Sequence, residues 1–168
     1  MQSITAFLET LQASPWAVFI HKTAWAFTTI EVVHVFAISL VVVTIAIVDL
    51  RLLGLASTKR PFAELSRQVL PFTWAAFVLA VIAGLLLFIS RATEYFENTM
   101  FWIKMFLIVL AGINMLVLQF VTSKSLATWD RGETPVAGKL AGALSLACWI
   151  GIIYLARKTG FTMVQGGA

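Results

Sequence analysis

Polar positions are sparse along this chain, and the gaps between them are long. Four runs are almost wholly apolar: residues 24–48, 72–90, 99–121 and 136–156. The second holds no charge, the third only Lys104, and the fourth only Lys139 near its start. A helix needs about 20 apolar residues to cross a hydrocarbon core of about 30 Å, so each run predicts a transmembrane helix. The two-residue alternation that membrane strands require is missing. The pattern predicts an all-α integral membrane four-helix bundle, with residues 1–168 forming a single transmembrane domain.

The first residues follow a different rhythm. From Ser3 to Leu11, Ile4, Phe7, Leu8 and Leu11 share one side, with Glu9 and Gln12 elsewhere. That spacing predicts a short amphipathic N-terminal helix lying on the membrane surface. The segment has no basic start and no cleavage-type continuation, so it does not read as a signal peptide. Ser14-Pro15 reads as a cap and restart, Asn98 and Thr134 as N-caps, Pro135 as a first helical position and Gly160 as a stop. Pro61 could open the second helix well before its apolar run, which would leave Pro71 inside it. Trp16, Trp25, Tyr95, Trp102, Trp129 and Tyr154 fall near span ends, as an interfacial aromatic belt would.

Composition agrees. Hydrophobic residues make up 60% of the chain and charged residues 12%, against about 25% charged in soluble domains. This excludes a soluble globular enzyme, a disordered chain and a nucleic-acid-binding domain. The net charge of +4 then reflects loop lysines and arginines. Arg51, Lys59, Arg60, Arg67, Lys124, Arg131 and Lys139 follow the first and third spans, whereas Lys22, Arg91, Arg157 and Lys158 lie on the other side. The excess places those two loops in the cytoplasm and both termini outside, on the periplasmic side of a bacterial inner membrane. Cys148 is the single cysteine, so neither an internal disulfide nor a cysteine cluster can form.

Ionisable groups at bilayer depth cost about 2.5–3.5 kcal/mol each on insertion scales and usually serve function. Here they are Glu31, His34 and Lys104, with Asn114 the main uncharged addition. Glu31 and Lys104 sit at similar depths, roughly 8–11 Å into their spans. They could form an ion pair or share a ligand, with His34 one turn deeper on the Glu31 side. Met100, Lys104, Ala111, Asn114 and Met115 fall on one face of the third helix, which should point inward. The Met100/Met115 stripe reads more readily as packing than as a metal site. His21 is about 20 Å along the chain from His34, so the two cannot share one metal, and a four-histidine, two-haem cytochrome is excluded. Gly138, Gly142 and Ser145 form a small-residue ridge for close helix approach, within the bundle or between subunits.

Residues 24 to about 120 resemble a bacterial superfamily of four-helix membrane proteins. It includes CopD-type copper-resistance domains, HemJ-type haem-dependent protoporphyrinogen oxidases and uncharacterised relatives. The matching features are Glu31-Val32-Val33-His34, Arg51, Gly84-Leu85-Leu86 and Phe101-Trp102-Ile103-Lys104-Met105 followed by Asn114. The stretch Asp49-Leu50-Arg51-Leu52-Leu53-Gly54 looks like the uncharacterised branch. The resemblance implies haem b held by His34 and Lys104. The oxidase pattern has a lysine where this chain has Glu31, which points away from porphyrinogen oxidation itself. The external side offers only His21 and Met163 as copper ligands, which points away from copper uptake.

The leading expectation is a haem-b-binding redox membrane protein, passing electrons between a quinol or porphyrin-type substrate and a partner. His34 would be the axial ligand, opposite Lys104, Met100, Met115 or His34 of a second subunit, with Trp74, Phe77, Phe88 and Phe106 as apolar walls. The alternatives are a small metal or proton transporter using Glu31, His34 and Lys104, and a non-catalytic subunit of a larger membrane complex. The partners implied are the lipid bilayer and a homo-oligomer or larger assembly, with no nucleic acid.

Overall fold

The structure, a computed structural model, describes residues 2–122, 130 and 134–165. Among these residues there are seven helices and no strand: α1 (Gln2–Gln12), α2 (Pro15–Lys22), α3 (Ala24–Leu52), α4 (Phe62–Ser90), α5 (Ala92–Glu97), α6 (Thr99–Thr122) and α7 (Val136–Gln165). Four of them, α3, α4, α6 and α7, are long and apolar enough to cross a membrane. The chain is a multi-pass, all-α membrane protein. Lys124, Trp129 and Arg131 lie outside the described residues.

The large apolar side chains point outward. Phe36, Val43, Phe72, Leu85, Phe106, Val117 and Ile150 are all exposed. In water such a surface would drive aggregation; against acyl chains it is the ordinary surface of a membrane helix. What is buried is small or shared between helices. Val41, Ala76, Ala111, Cys148, Trp149 and Ile152 form the main core cluster.

Small residues decide which helices touch. α3 packs on α4 along Ala37, Ala76, Ala80 and Ala83, all buried. α3 packs on α7 where Gly142 meets it: a Cβ there would stand 3.1 Å from both the Asp49 carbonyl oxygen and Leu52 Cβ. The ridge expected on the last helix therefore works inside the bundle. Gly151, on another side of α7, would bring a Cβ to 3.0 Å from Leu107 of α6. The packing runs α4–α3–α7–α6, and α4 and α6 touch little although only α5 separates them in sequence.

Several ends differ from expectation. α4 does begin just after Pro61 and holds Pro71 in its interior. It therefore extends about ten residues ahead of its apolar run, because Phe62 and Leu65 are buried while Glu64 and Arg67 stay exposed. Gly160 does not stop the last helix, which continues to Gln165. Among the described glycines only Gly54 has a positive φ, 76°, so Gly160 lacks the left-handed backbone of a C-terminal stop. Thr162 holds the extra turn: its hydroxyl donates to the Thr159 carbonyl and accepts 2.8 Å from Asn98 Nδ2.

The caps at Ser14 and Asn98 form as expected. Ser14 Oγ accepts from the Ala17 amide, and Asn98 Oδ1 from the amides of Met100 and Phe101. Thr134 has a different task. Its hydroxyl receives Arg51 Nη1 at 3.3 Å. Arg51 is 1% exposed and also donates to the carbonyls of Arg60 and Asp130. Asp130 Oδ1 in turn accepts from the Ala63 amide at 2.8 Å, in the first turn of α4. One arginine thus clasps the end of α3 to the starts of α4 and α7.

The N-terminal helix is amphipathic as expected, with Leu8 buried and Ile4 and Phe7 exposed. Gln12 ties it to α5, its Oε1 accepting from the Thr93 hydroxyl at 3.0 Å.

Candidate functional site

His34 stands ten residues into α3, about 15 Å from its start, and its ring is half-buried. Nδ1 lies 2.8 Å from the Ala80 carbonyl oxygen on α4. A carbonyl only accepts, so Nδ1 carries a proton, and in the neutral ring Nε2 keeps its lone pair. The ring reaches that carbonyl because the residue one turn further on is glycine. A Cβ on Gly84 would stand 2.9 Å from His34 Cε1 and 3.4 Å from Nδ1. Gly84 is therefore the seat of the ring. In the sequence the only local signal of this role is a glycine inside an apolar span, because its partner is 50 residues away.

Glu31 and Lys104 do not form the expected ion pair. Among the described residues the only ion pair is Arg91–Glu94, at 3.6 Å. Glu31 is exposed on α3. Lys104 is half-buried, with its Nζ 5.1 Å from the centre of the Phe101 ring. Equal depth did not make the two adjacent, because α3 and α6 are not packed neighbours; α7 contacts both.

Aromatic rings close this end of the bundle. Phe88 stacks on Phe101 at 5.6 Å, and Tyr95 lies 5.5 Å from Phe101. Burial pushes the Tyr95 phenol above its ordinary pKa; Arg91 opposes this, and Glu31 and Glu94 add to it. Phe106 is 65% exposed and faces away from the bundle, so it is no wall of an inner site. Trp74 and Phe77 do line an interior space, further down.

The inward face read on the third helix is correct. Met100, Lys104, Asn114 and Met115 are partly buried and Ala111 fully, while Trp102, Ile103, Met105 and Phe106 are exposed. Asn114 Nδ2 donates to the Ala141 carbonyl at 2.9 Å, stapling α6 to α7. It lies about 15 Å beyond Lys104 along α6, well below the histidine. Met100 sits in the first turn of α6, its amide bound by Asn98. His21 is exposed in the last turn of α2.

Asp49 is a second buried polar position, not evident from the sequence. Asp49, 3% exposed, receives the Ser145 hydroxyl, and its Oδ2 is buried without a hydrogen-bond partner. Nothing local marks it, because Asp49 precedes a loop and reads as an interfacial charge.

Among the described residues, no group of three or more His, Cys, Asp or Glu side chains could hold a metal ion. His34 is a lone nitrogen donor. That does not suit a bare ion, which needs several protein ligands. It suits a group that brings its own equatorial ligands, as a porphyrin does. The Nδ1–carbonyl bond is the usual outer support of a ligating histidine, fixing tautomer and ring orientation.

Set against protein-family models, curated proteins and solved structures, the chain matches none.

Proposed function

We propose that the protein is a haem-b-binding redox protein of a bacterial inner membrane, moving electrons between a quinol or porphyrin-type substrate and a partner. The observation that carries this is the His34 seat: Nδ1 held 2.8 Å from the Ala80 carbonyl and the ring laid on Gly84. In the neutral ring this leaves Nε2 as an oriented donor. The resemblance of residues 24–120 to the CopD-type and HemJ-type superfamily supports the same reading. In it, His34 would hold the haem iron, and Lys104, Met100 or His34 of a second copy would supply a further donor. A bound haem would supply one-electron chemistry. The chain's own share is to orient the imidazole.

Orientation follows from the lysine and arginine excess: the Arg51 clasp faces the cytoplasm and both termini the periplasm. A proton or metal path is less well supported. Along α3 the interior-facing residues between His34 and Asp49 include Ala37, Val41, Thr44, Ile45 and Val48; over these roughly 22 Å the one polar side chain among them, Thr44, has its hydroxyl bonded to the Leu40 and Val41 carbonyls of its own helix.

The test is cofactor content per protein chain. His34→Ala should lose haem and His21→Ala should keep it. Equal haem in both variants would refute His34 as the ligand.

A further inference from the structure

The His34 seat pairs α3 with Gly84 of α4. Seven residues toward the α5 end of the bundle, these two helices bring a second pair together. The Arg91 guanidinium lies over the Phe27 ring, 5.3 Å from its centre. Seven residues return a helix to nearly the same face after a rise of about 10 Å. The two pairs therefore share one α3–α4 seam, with Arg91 above the seat. Arg91 closes the end of α4, just past its apolar run, while His34 lies within a span.

This guanidinium is poorly partnered. Its side chain is 34% exposed. Nε is buried without a partner, but the Nη nitrogens are not buried, and among the described residues they make no hydrogen bond. The ion pair from Nη1 to Glu94, at 3.6 Å, is longer than a hydrogen bond and half-exposed, so it holds Arg91 weakly. A planar fork so placed suits a carboxylate. Arg157 and Lys158 of α7 are placed differently, over Phe161 and Tyr154 of their own helix. Glu31, at intermediate height, is exposed and lies about 60° round α3 from His34, to one side of the seam.

A porphyrin bound to His34 through its iron also has charges to place. Haem b carries two propionates, and ionised carboxylates are costly in hydrocarbon, so the interface suits them best. Seven zigzagging bonds of about 1.5 Å separate the iron from a propionate oxygen, roughly 8–10 Å in all. Arg91 stands at that height above the seat. We propose that Arg91 holds a haem propionate through its Nη nitrogens, so that the carboxylate edge of the porphyrin turns toward the α5 end of the bundle. The inference rests on the His34 reading and adds to it which way the porphyrin points.

The experiment uses the full chain from haem-deficient cells, in phosphatidylcholine nanodiscs, titrated with haem b or with its dimethyl ester while the Soret band is followed. The ester keeps the iron and the ring and loses both carboxylates. Each porphyrin is compared between proteins, so its partition into lipid cancels. Arg91→Gln should weaken haem b at least about ten-fold and leave the ester within about two-fold of wild type. Arg157→Gln should change neither. If Arg91→Gln fails to fold, Glu94→Gln decides: relief of the competing carboxylate should tighten haem b at least about two-fold and leave the ester unchanged. Equal effects on the two porphyrins, or none on haem b, would overturn the proposal even where His34→Ala loses both. If the wild type binds neither porphyrin, or His34→Ala binds both as the wild type does, the His34 reading fails and the proposal falls with it.

Discussion

His34 shows how one missing side chain can position another. Its ring occupies the space that any residue other than glycine would take at position 84. Gly84→Val should therefore push the ring off the Ala80 carbonyl and overpack the α3–α4 contact. The expected cost is about 1–3 kcal/mol, with cofactor content falling as in His34→Ala. Thermal unfolding in detergent and a haem assay check both. If the Gly84→Val protein matches wild type in stability, the seat is not as tight as described.

Arg51 makes a second residue-scale claim. Its guanidinium serves three acceptors, one just before α4 and two in the connection before α7. Lysine offers a point charge in place of the fork, so Arg51→Lys should not rescue. Arg51→Met should cost roughly 2–4 kcal/mol through acceptors left buried without donors. Glu31 and Lys104 behave differently. With no ion pair between them, Glu31→Gln and Lys104→Met should be additive in stability within about 0.5 kcal/mol. A double-mutant cycle giving a larger coupling energy would place the two side chains together after all.

At the scale of elements, the spans were legible because lipid imposes a length and a composition on each of them. The inward face of α6 was legible from its period, and the caps at Ser14 and Asn98 from local chemistry. The long lead of α4 was less visible, because its start is capped from Asp130, 67 residues away. Gly160 misled because a C-terminal stop depends on backbone conformation, and here Thr162 and Asn98 carry the helix past it. Helix neighbours were not legible. Matching depths suggested that Glu31 and Lys104 meet, but depth says nothing about which helices are adjacent. The α7 ridge is the clearest element-scale test. Gly142→Leu should force α7 away from the Asp49–Leu52 stretch of α3 at a cost of about 1–3 kcal/mol. The matching change at Gly112, which faces open space, should leave unfolding in SDS nearly unchanged. Equal losses at the two sites would contradict the helix order.

At the scale of the whole molecule, packing in the order α4–α3–α7–α6 leaves a groove between α4 and α6 that starts below the histidine seat and runs toward the arginine clasp. His34 was found from the sequence, because a titratable ring deep in a span is conspicuous. Gly84 and Asp49 were not, because their roles depend on residues from other helices. The central claim is that the seat holds a haem iron through His34 Nε2. The most direct measurement is a pyridine haemochrome assay with an absorption spectrum on wild-type and His34→Ala protein, purified from haem-replete cells. The wild type should show a Soret band and bound haem b, and His34→Ala neither. A wild-type protein without haem, or a His34→Ala protein that keeps it, would contradict the account.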